Sequence, residues 1–140
     1  MTILVPPEQL ALIYANGEKA YPDEGAGFLF GHDGEVRQVI SIYDLPNSRE
    51  DGARHDRFLV TPEDYLEGEL KAEELKLDII GIFHSHPDSK NVPSEYDREW
   101  AQPFFSYIIT SVYNGKAIES RSWLLAEDRS KFIEEPIQRN

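Results

Sequence analysis

The chain has no cysteine. Disulfide cross-links are therefore excluded, and so is any zinc centre with a thiolate ligand, including the nucleobase-deaminase site that needs a P-C-x-x-C segment. A metal here would have to rest on imidazole and carboxylate. Imidazole is itself scarce, because the 140 residues hold four histidines: His32, His55, His84 and His86. Basic side chains are outnumbered, 14 Lys and Arg against 26 Asp and Glu, which leaves a formal net charge of −12. Nucleic-acid binding is carried mainly by clustered Lys and Arg, so this balance argues against a phosphate backbone as partner. Long apolar runs are missing too, and the opening Met1-Thr-Ile-Leu-Val-Pro-Pro carries no basic region. Neither a membrane span nor a secretory leader is expected, and a cytoplasmic setting is.

What remains reads as one domain over residues 1–140, long enough to bury a core without staples. Pro6-Pro7-Glu8 opens a segment in which Leu10, Ile13 and Tyr14 recur at helical spacing, which predicts a first helix running toward Tyr21. Residues 25–30 and 35–43 are apolar or alternating and flank His32-Asp33-Gly34, a hairpin signal. A polar loop follows over residues 44–56 with Pro46, Asn47 and Gly52. Thr61 as N-cap, Pro62 at the first helical position and Asp64 in the first turn mark a second helix ending near Lys76. Tyr65, Leu66, Leu70 and Leu75 would face its core side, and Glu63, Asp64, Glu67, Glu69, Glu73 and Glu74 would be solvated. Further on, residues 104–113 and 117–125 are joined by Asn114-Gly115 as a second hairpin, with Tyr107, Ile109, Trp123 and Leu124 as sheet-face residues. The tail, with Phe132, Ile133 and Ile137, supplies a last short strand.

Between the second helix and the second hairpin, Asp78-Ile-Ile-Gly-Ile-Phe83 is an apolar run of strand length that leads into His84-Ser85-His86-Pro87. Two histidines two apart on a strand point to one face, and Ser85 between them points away. Pro93-Ser94-Glu95 looks like a helix start capped by Ser94, and that helix would carry Asp97 back to the histidines. Two imidazoles and one carboxylate make three protein ligands. That number leaves a fourth tetrahedral position for water, the arrangement of a catalytic zinc. His and carboxylate ligands also accept iron or manganese. His32 and His55 have no partner at ligand spacing and are read as turn or surface residues.

The block reads H-x-H-x(7)-S-x-x-D and resembles the signature of the JAMM, or MPN-plus, metalloproteases. Glu24, in Pro22-Asp-Glu24-Gly-Ala-Gly-Phe-Leu-Phe-Gly31, is similar to that family's upstream glutamate segment. Asn47, the strand over residues 57–60 and Thr61-Pro62-Glu63 repeat an order found in JAMM relatives. The resemblance implies an α/β fold, a single JAMM/MPN domain whose mixed, mostly antiparallel β-sheet is flanked by helices in a three-layer, cytidine-deaminase-like arrangement. It further implies Zn2+ held by His84, His86 and Asp97, Glu24 as the catalytic acid and base, and Ser94 as donor to the oxyanion, beside its possible role as a pure N-cap.

The implied activity is hydrolysis of the bond after the C-terminal Gly-Gly of a ubiquitin-like protein. Larger deubiquitinating members of that family carry inserted segments that grip a second ubiquitin, and with 43 residues after Asp97, nearly all used by strands, a polyubiquitin editor is not expected. A ubiquitin-like sulfur-carrier tail is therefore the expected substrate, with no nucleic acid and no membrane as partner. Two other classes stay open: a non-catalytic scaffold of the same fold, and a nucleic-acid-associated relative resembling the bacterial RadC group.

Overall fold

In the computed structural model the described residues are 2–46 and 58–140. Asn47, His55, Arg57 and most of the loop expected over residues 44–56 lie outside them. The chain order is β1 (Thr2–Leu4), α1 (Pro7–Ala20), β2 (Ala26–His32), β3 (Val36–Leu45), α2 (Pro62–Leu75), β4 (Asp78–Pro87), α3 (Glu95–Trp100), β5 (Ser106–Tyr113), β6 (Lys116–Leu125), β7 (Phe132–Glu135) and β8 (Ile137–Gln138). The eight strands form one mixed sheet in the order β7-β6-β5-β4-β2-β3-β1-β8. The β1–β3, β1–β8 and β4–β5 pairs are parallel and the other four antiparallel. Both expected hairpins form, the second turning at Asn114 and Gly115, each with the positive φ such a tight turn requires. No helix among the described residues is long and apolar enough to cross a membrane.

Two apolar clusters lie on opposite faces of the sheet. Ile3, Val5, Leu29, Val39, Ile80, Phe83 and Ile108 pack under α1 through its Leu10 and Ile13. Phe28, Phe30, Leu45, Ile82, Tyr107 and Leu125 pack on the other side with Ala72 of α2 and with Ala101, the residue that ends α3. Alternation along β2 and β4 sorts the residues: Phe28 and Ile82 take the α2/α3 side, Leu29 and Phe83 the α1 side. The three-layer expectation is met, with α1 on one face and α2 and α3 on the other.

The two ends of the sheet are joined in an unexpected way. The tail supplies two strands rather than one, and β7 and β8 lie at opposite ends of the strand order although only Pro136 separates them. Seven inter-strand steps in a flat sheet would put those ends roughly 33 Å apart. Glu135 and Ile137 are two Cα steps apart, at most about 7.6 Å. The sheet must therefore curl until its edges meet. Around the closure a buried polar chain crosses the strands: the Arg37 guanidinium donates to Ser106 Oγ (2.8 Å), to Ile80 O (3.2 Å) and to Phe104 O (2.8 Å). The hydroxyls of Ser106 and Ser122 in turn donate to Glu135 Oε1 at 2.8 and 2.9 Å. Arg37 and Glu135 are 5% and 1% exposed, and partners on β4, β5 and β6 make that burial tolerable.

Several expectations need correction. Strand β1 has no counterpart among them, and residues 58–60 join no strand. Helix α2 rests on the sheet through Gly68 and Ala72, with Tyr65 half-buried, whereas Leu66 and Leu70 are each 58% exposed and Leu75 43%. The reason is close approach. A Cβ at Gly68 would stand 2.5 Å from the Phe28 ring, so the contact stripe is made of small residues and the leucines rotate outward. Asp64 also leaves the solvated face. Its carboxylate accepts from Thr61 N (2.9 Å) while its own N–H donates to Thr61 Oγ1 (3.1 Å), a reciprocal cap.

Leu70→Gln should accordingly change unfolding free energy by no more than about 0.5 kcal/mol. Gly68→Val should lower it by about 1–3 kcal/mol through overpacking against Phe28. Urea denaturation of both variants checks the assignment of faces, and a larger loss for Leu70→Gln would contradict it.

Candidate metal centre

The site grows out of the antiparallel pairing of β2 with β4. Ala26 stands opposite His84, and Ser85 N donates to Gly25 O (3.0 Å), which carries the pairing past the start of β2. Glu24 thereby comes level with His86, on the face shared by Ala26, His84 and His86. On its other side β4 runs parallel to β5, pairing His84 with Ile109 and His86 with Ser111, so the histidines stand in the middle of the sheet. Both are buried, at 8% and 7% exposure.

The third member comes from α3. Ser94 caps that helix, accepting on Oγ from Asp97 N (3.1 Å), and Ser94 N donates to Asp97 Oδ2 (2.8 Å). This exchange turns the Asp97 carboxylate back toward the sheet. Its oxygens lie 3.3 Å from His84 Nε2 and 3.2 Å from His86 Nε2, and the two Nε2 atoms are 3.2 Å apart. A tetrahedral ion with bonds of about 2.0–2.1 Å to nitrogen and oxygen has ligand-to-ligand edges of about 3.3–3.4 Å. The two imidazole nitrogens stand close to such an edge, and the Asp97 carboxylate lies against each of them through a different oxygen. One ligand atom from each of the three residues falls within 4.8 Å of the others, a grouping that could hold a metal ion. His32, exposed at the end of β2, is not in the group.

The imidazole of His86 is held from behind. Its Nδ1 lies 2.7 Å from Lys90 O, an acceptor only, so Nδ1 carries the proton and Nε2 presents its lone pair. The segment supplying that carbonyl is fastened to β6: Asn91 Nδ2 donates to Glu119 O and Oε1 (both 3.1 Å), and Trp123 Nε1 donates to Asn91 O (3.1 Å). Electrostatics favour a cation at this point. Burial works against charge on His84, but the Asp97 carboxylate beside it, helped by Glu24, lifts its pKa to about 9. Burial likewise works against charge on Asp97, yet the protonated His84 beside it and the Ser94 N–H hold its carboxyl well below the usual carboxylate range.

Glu24, 4% exposed, His84 and Asp97 open into a cleft of about 670 Å³. Its further wall is apolar and aromatic, with Phe58, Val60, Tyr65, Tyr96, Trp100 and Tyr107. Burial raises the Tyr107 phenol, and its oxygen accepts from Gln102 N at 2.7 Å. Of the residues singled out in the sequence, His84, His86, Asp97 and Glu24 come together here. Ser94 stands at the head of α3, its Oγ engaged as an acceptor with the hydroxyl proton still able to donate, and it does not line the cleft. The aromatic wall went unread. Tyr96 and Trp100 are four apart on α3, a spacing that signals a shared face, but nothing local tells which face meets a cleft.

Comparison with known proteins follows the same lines. A family model described as prokaryotic homologs of the JAB domain matches residues 6–126. Desampylase from Pyrococcus furiosus is 34% identical over 114 residues, which is 81% of this chain and 74% of that protein. The solution structure of a protein from Desulfitobacterium hafniense superposes with a TM-score of 0.82 at 31% identity, covering 98% of this chain and 91% of that one. A JAB1/MPN domain protein from Archaeoglobus fulgidus shares the fold, with a TM-score of 0.59 at 21% identity over 99% of each chain.

The metal-free protein keeps a proton on His84 until about pH 9, and a cation must displace it. Because that proton is bound below the raised pKa and lost above it, apparent affinity for a divalent cation such as cobalt(II) should rise with pH. One displaced proton gives about tenfold per pH unit between about pH 6 and pH 8, flattening above about pH 9. Cobalt titrations at several pH values check this, and an affinity independent of pH would contradict it.

Proposed function

This chain belongs to the prokaryotic homologs of the JAB domain and is a hydrolase, and from that premise we propose that it is a zinc-dependent peptidase acting after the C-terminal Gly-Gly of a ubiquitin-like sulfur-carrier protein. The observation that carries the reading is the convergence of His84 Nε2, His86 Nε2 and Asp97 within 3.2–3.3 Å of one another with a buried glutamate beside them in a cleft. The relatives named Desampylase support a ubiquitin-like protein as the substrate. They also count against the scaffold alternative. The net charge of −12 disfavours the nucleic-acid alternative and any partner that is itself strongly acidic.

Zinc bound by His84, His86 and Asp97 would supply Lewis acidity, which acidifies water and polarises the scissile carbonyl. The residues of the chain do the rest. Glu24, on the histidine face but outside the ligand set, takes the proton from the attacking water and returns it to the leaving amine. Ser94 stands beside the cleft rather than in its lining, with Asp97 N on one lone pair of its hydroxyl, and the remaining proton would be its donor toward the developing oxyanion. Lys90 O keeps His86 in the tautomer that leaves Nε2 available. An extended tail suits a centre in mid-sheet, because two glycines let the backbone approach closely.

Purified protein should hold about one zinc per chain. His84→Ala and Asp97→Ala should lose it and still fold. Elemental analysis decides, and protein that neither holds nor takes up metal would sink the catalytic reading. Glu24→Gln should keep the metal and lower turnover by roughly 10²-fold to 10⁴-fold, so near-normal turnover would mean that another group moves the proton.

A sulfur carrier with extra residues after Gly-Gly should be trimmed at that point, as read by product mass. Changing the last glycine to Val should stop the cleavage. Equal cleavage of both carriers, or preferred cleavage of Lys-linked ubiquitin chains, would overturn the substrate assignment.

A further inference from the structure

Ser85 stands between the two histidines and points the other way. It is 2% exposed and faces α1, where a Cβ placed on Gly17 would meet the Ser85 Cβ at 3.1 Å. The sheet separates its hydroxyl from the cleft, so it cannot reach a substrate. Its polar contact is with the residue after Glu24: Gly25 N donates to Ser85 Oγ at 2.8 Å, while Ser85 N donates to Gly25 O at 3.0 Å. In a regular antiparallel pair both of these bonds run backbone to backbone. Here the hydroxyl takes the place of the Ser85 carbonyl as acceptor for Gly25 N, at the point where the chain enters the ladder to begin β2. Gly25 is confined on its other side too, since a Cβ there would come within 2.4 Å of Asn16 Oδ1 and 2.9 Å of the Ala20 Cβ, both on α1.

We propose that Ser85 is a positioning residue for Glu24: by holding the Gly25 N–H, its hydroxyl fixes the backbone from which the Glu24 carboxylate reaches the histidine face. A residue without that hydroxyl leaves a buried N–H unpaired and frees the peptide joining Glu24 to Gly25. Because His84 and His86 are set by their own strand pairing with β5, the metal group stays as it is. The inference rests on Glu24 as the acid and base of the reaction.

The test uses Ser85→Ala, Glu24→Gln and the double variant. In Ser85→Ala the Gly25 amide of the metal-free protein should exchange with solvent at least about tenfold faster, with the amides of His84 and His86 unchanged. Zinc affinity and KM should stay within about twofold, and kcat should fall roughly 10-fold to 100-fold, the scale of a misplaced catalytic group. In the Glu24→Gln background, under single-turnover conditions, the same change should cost less than about twofold, since the group it positions is gone.

An unchanged Gly25 exchange rate would overturn the proposal. So would a loss of equal size in both backgrounds, or lost zinc affinity, while Glu24 kept its role. Near-normal turnover of Glu24→Gln alone would instead remove the acid and base reading and the proposal with it.

Discussion

The register between β2 and β4 is the constraint on which the candidate centre depends. Side chains alternate along both strands, so Ala26 opposite His84 places Glu24, His84 and His86 on one face. A slip of one residue would turn the glutamate toward α1 and the histidines would face it through the sheet. Backbone bonds near the cleft hold that register, and so does the fit of Phe83 over its partner Gly27, where a Cβ would stand 2.4 Å from the ring Cζ. The proposed proton-transfer group and two of the three candidate ligands are thus placed by the sheet, and a helix cap adds the third.

Asp97 serves that cap and the candidate ligand group with a single carboxylate. Its exchange of hydrogen bonds with Ser94 sets where α3 begins; Oδ2, which accepts from Ser94 N, also lies against His86, and Oδ1 lies against His84. A helix of six residues has little stability of its own, so α3 gains from being tied to a strand through this side chain. The same economy operates around His86, where Lys90 O, Asn91, Glu119 and Trp123 form one chain of contacts from the imidazole to β6. Local order and ligand geometry are here the same interactions.

Much of this was legible in the sequence because it rests on short-range rules. Thr61-Pro62 opens α2, Asn114-Gly115 turns the second hairpin, and the two-residue spacing of the histidines puts both on one face. What escaped reading depends on approach between distant segments. Leu66 and Leu70 look like core residues until Gly68 meets Phe28. Nothing in the residues around Arg37 and Glu135 announces that Ser106 joins them in the interior. Strand β1, three residues long, offers too little alternation to be seen. The aromatic wall around Tyr65, Tyr96 and Tyr107 is drawn from α2, α3 and β5, and no local pattern links those three.

The closure through Pro136 also divides the molecule in time. Its final rung pairs Ile3 with Ile137, almost the full length of the chain apart, and the entropy lost in closing a loop grows with its length. Pairings among β2, β4 and β5 span much shorter loops, and every member of the metal group lies between residues 84 and 97. Contact order therefore favours an assembly sequence in which the strands bearing the histidines find their neighbours first and the two ends of the chain seal the curl afterwards.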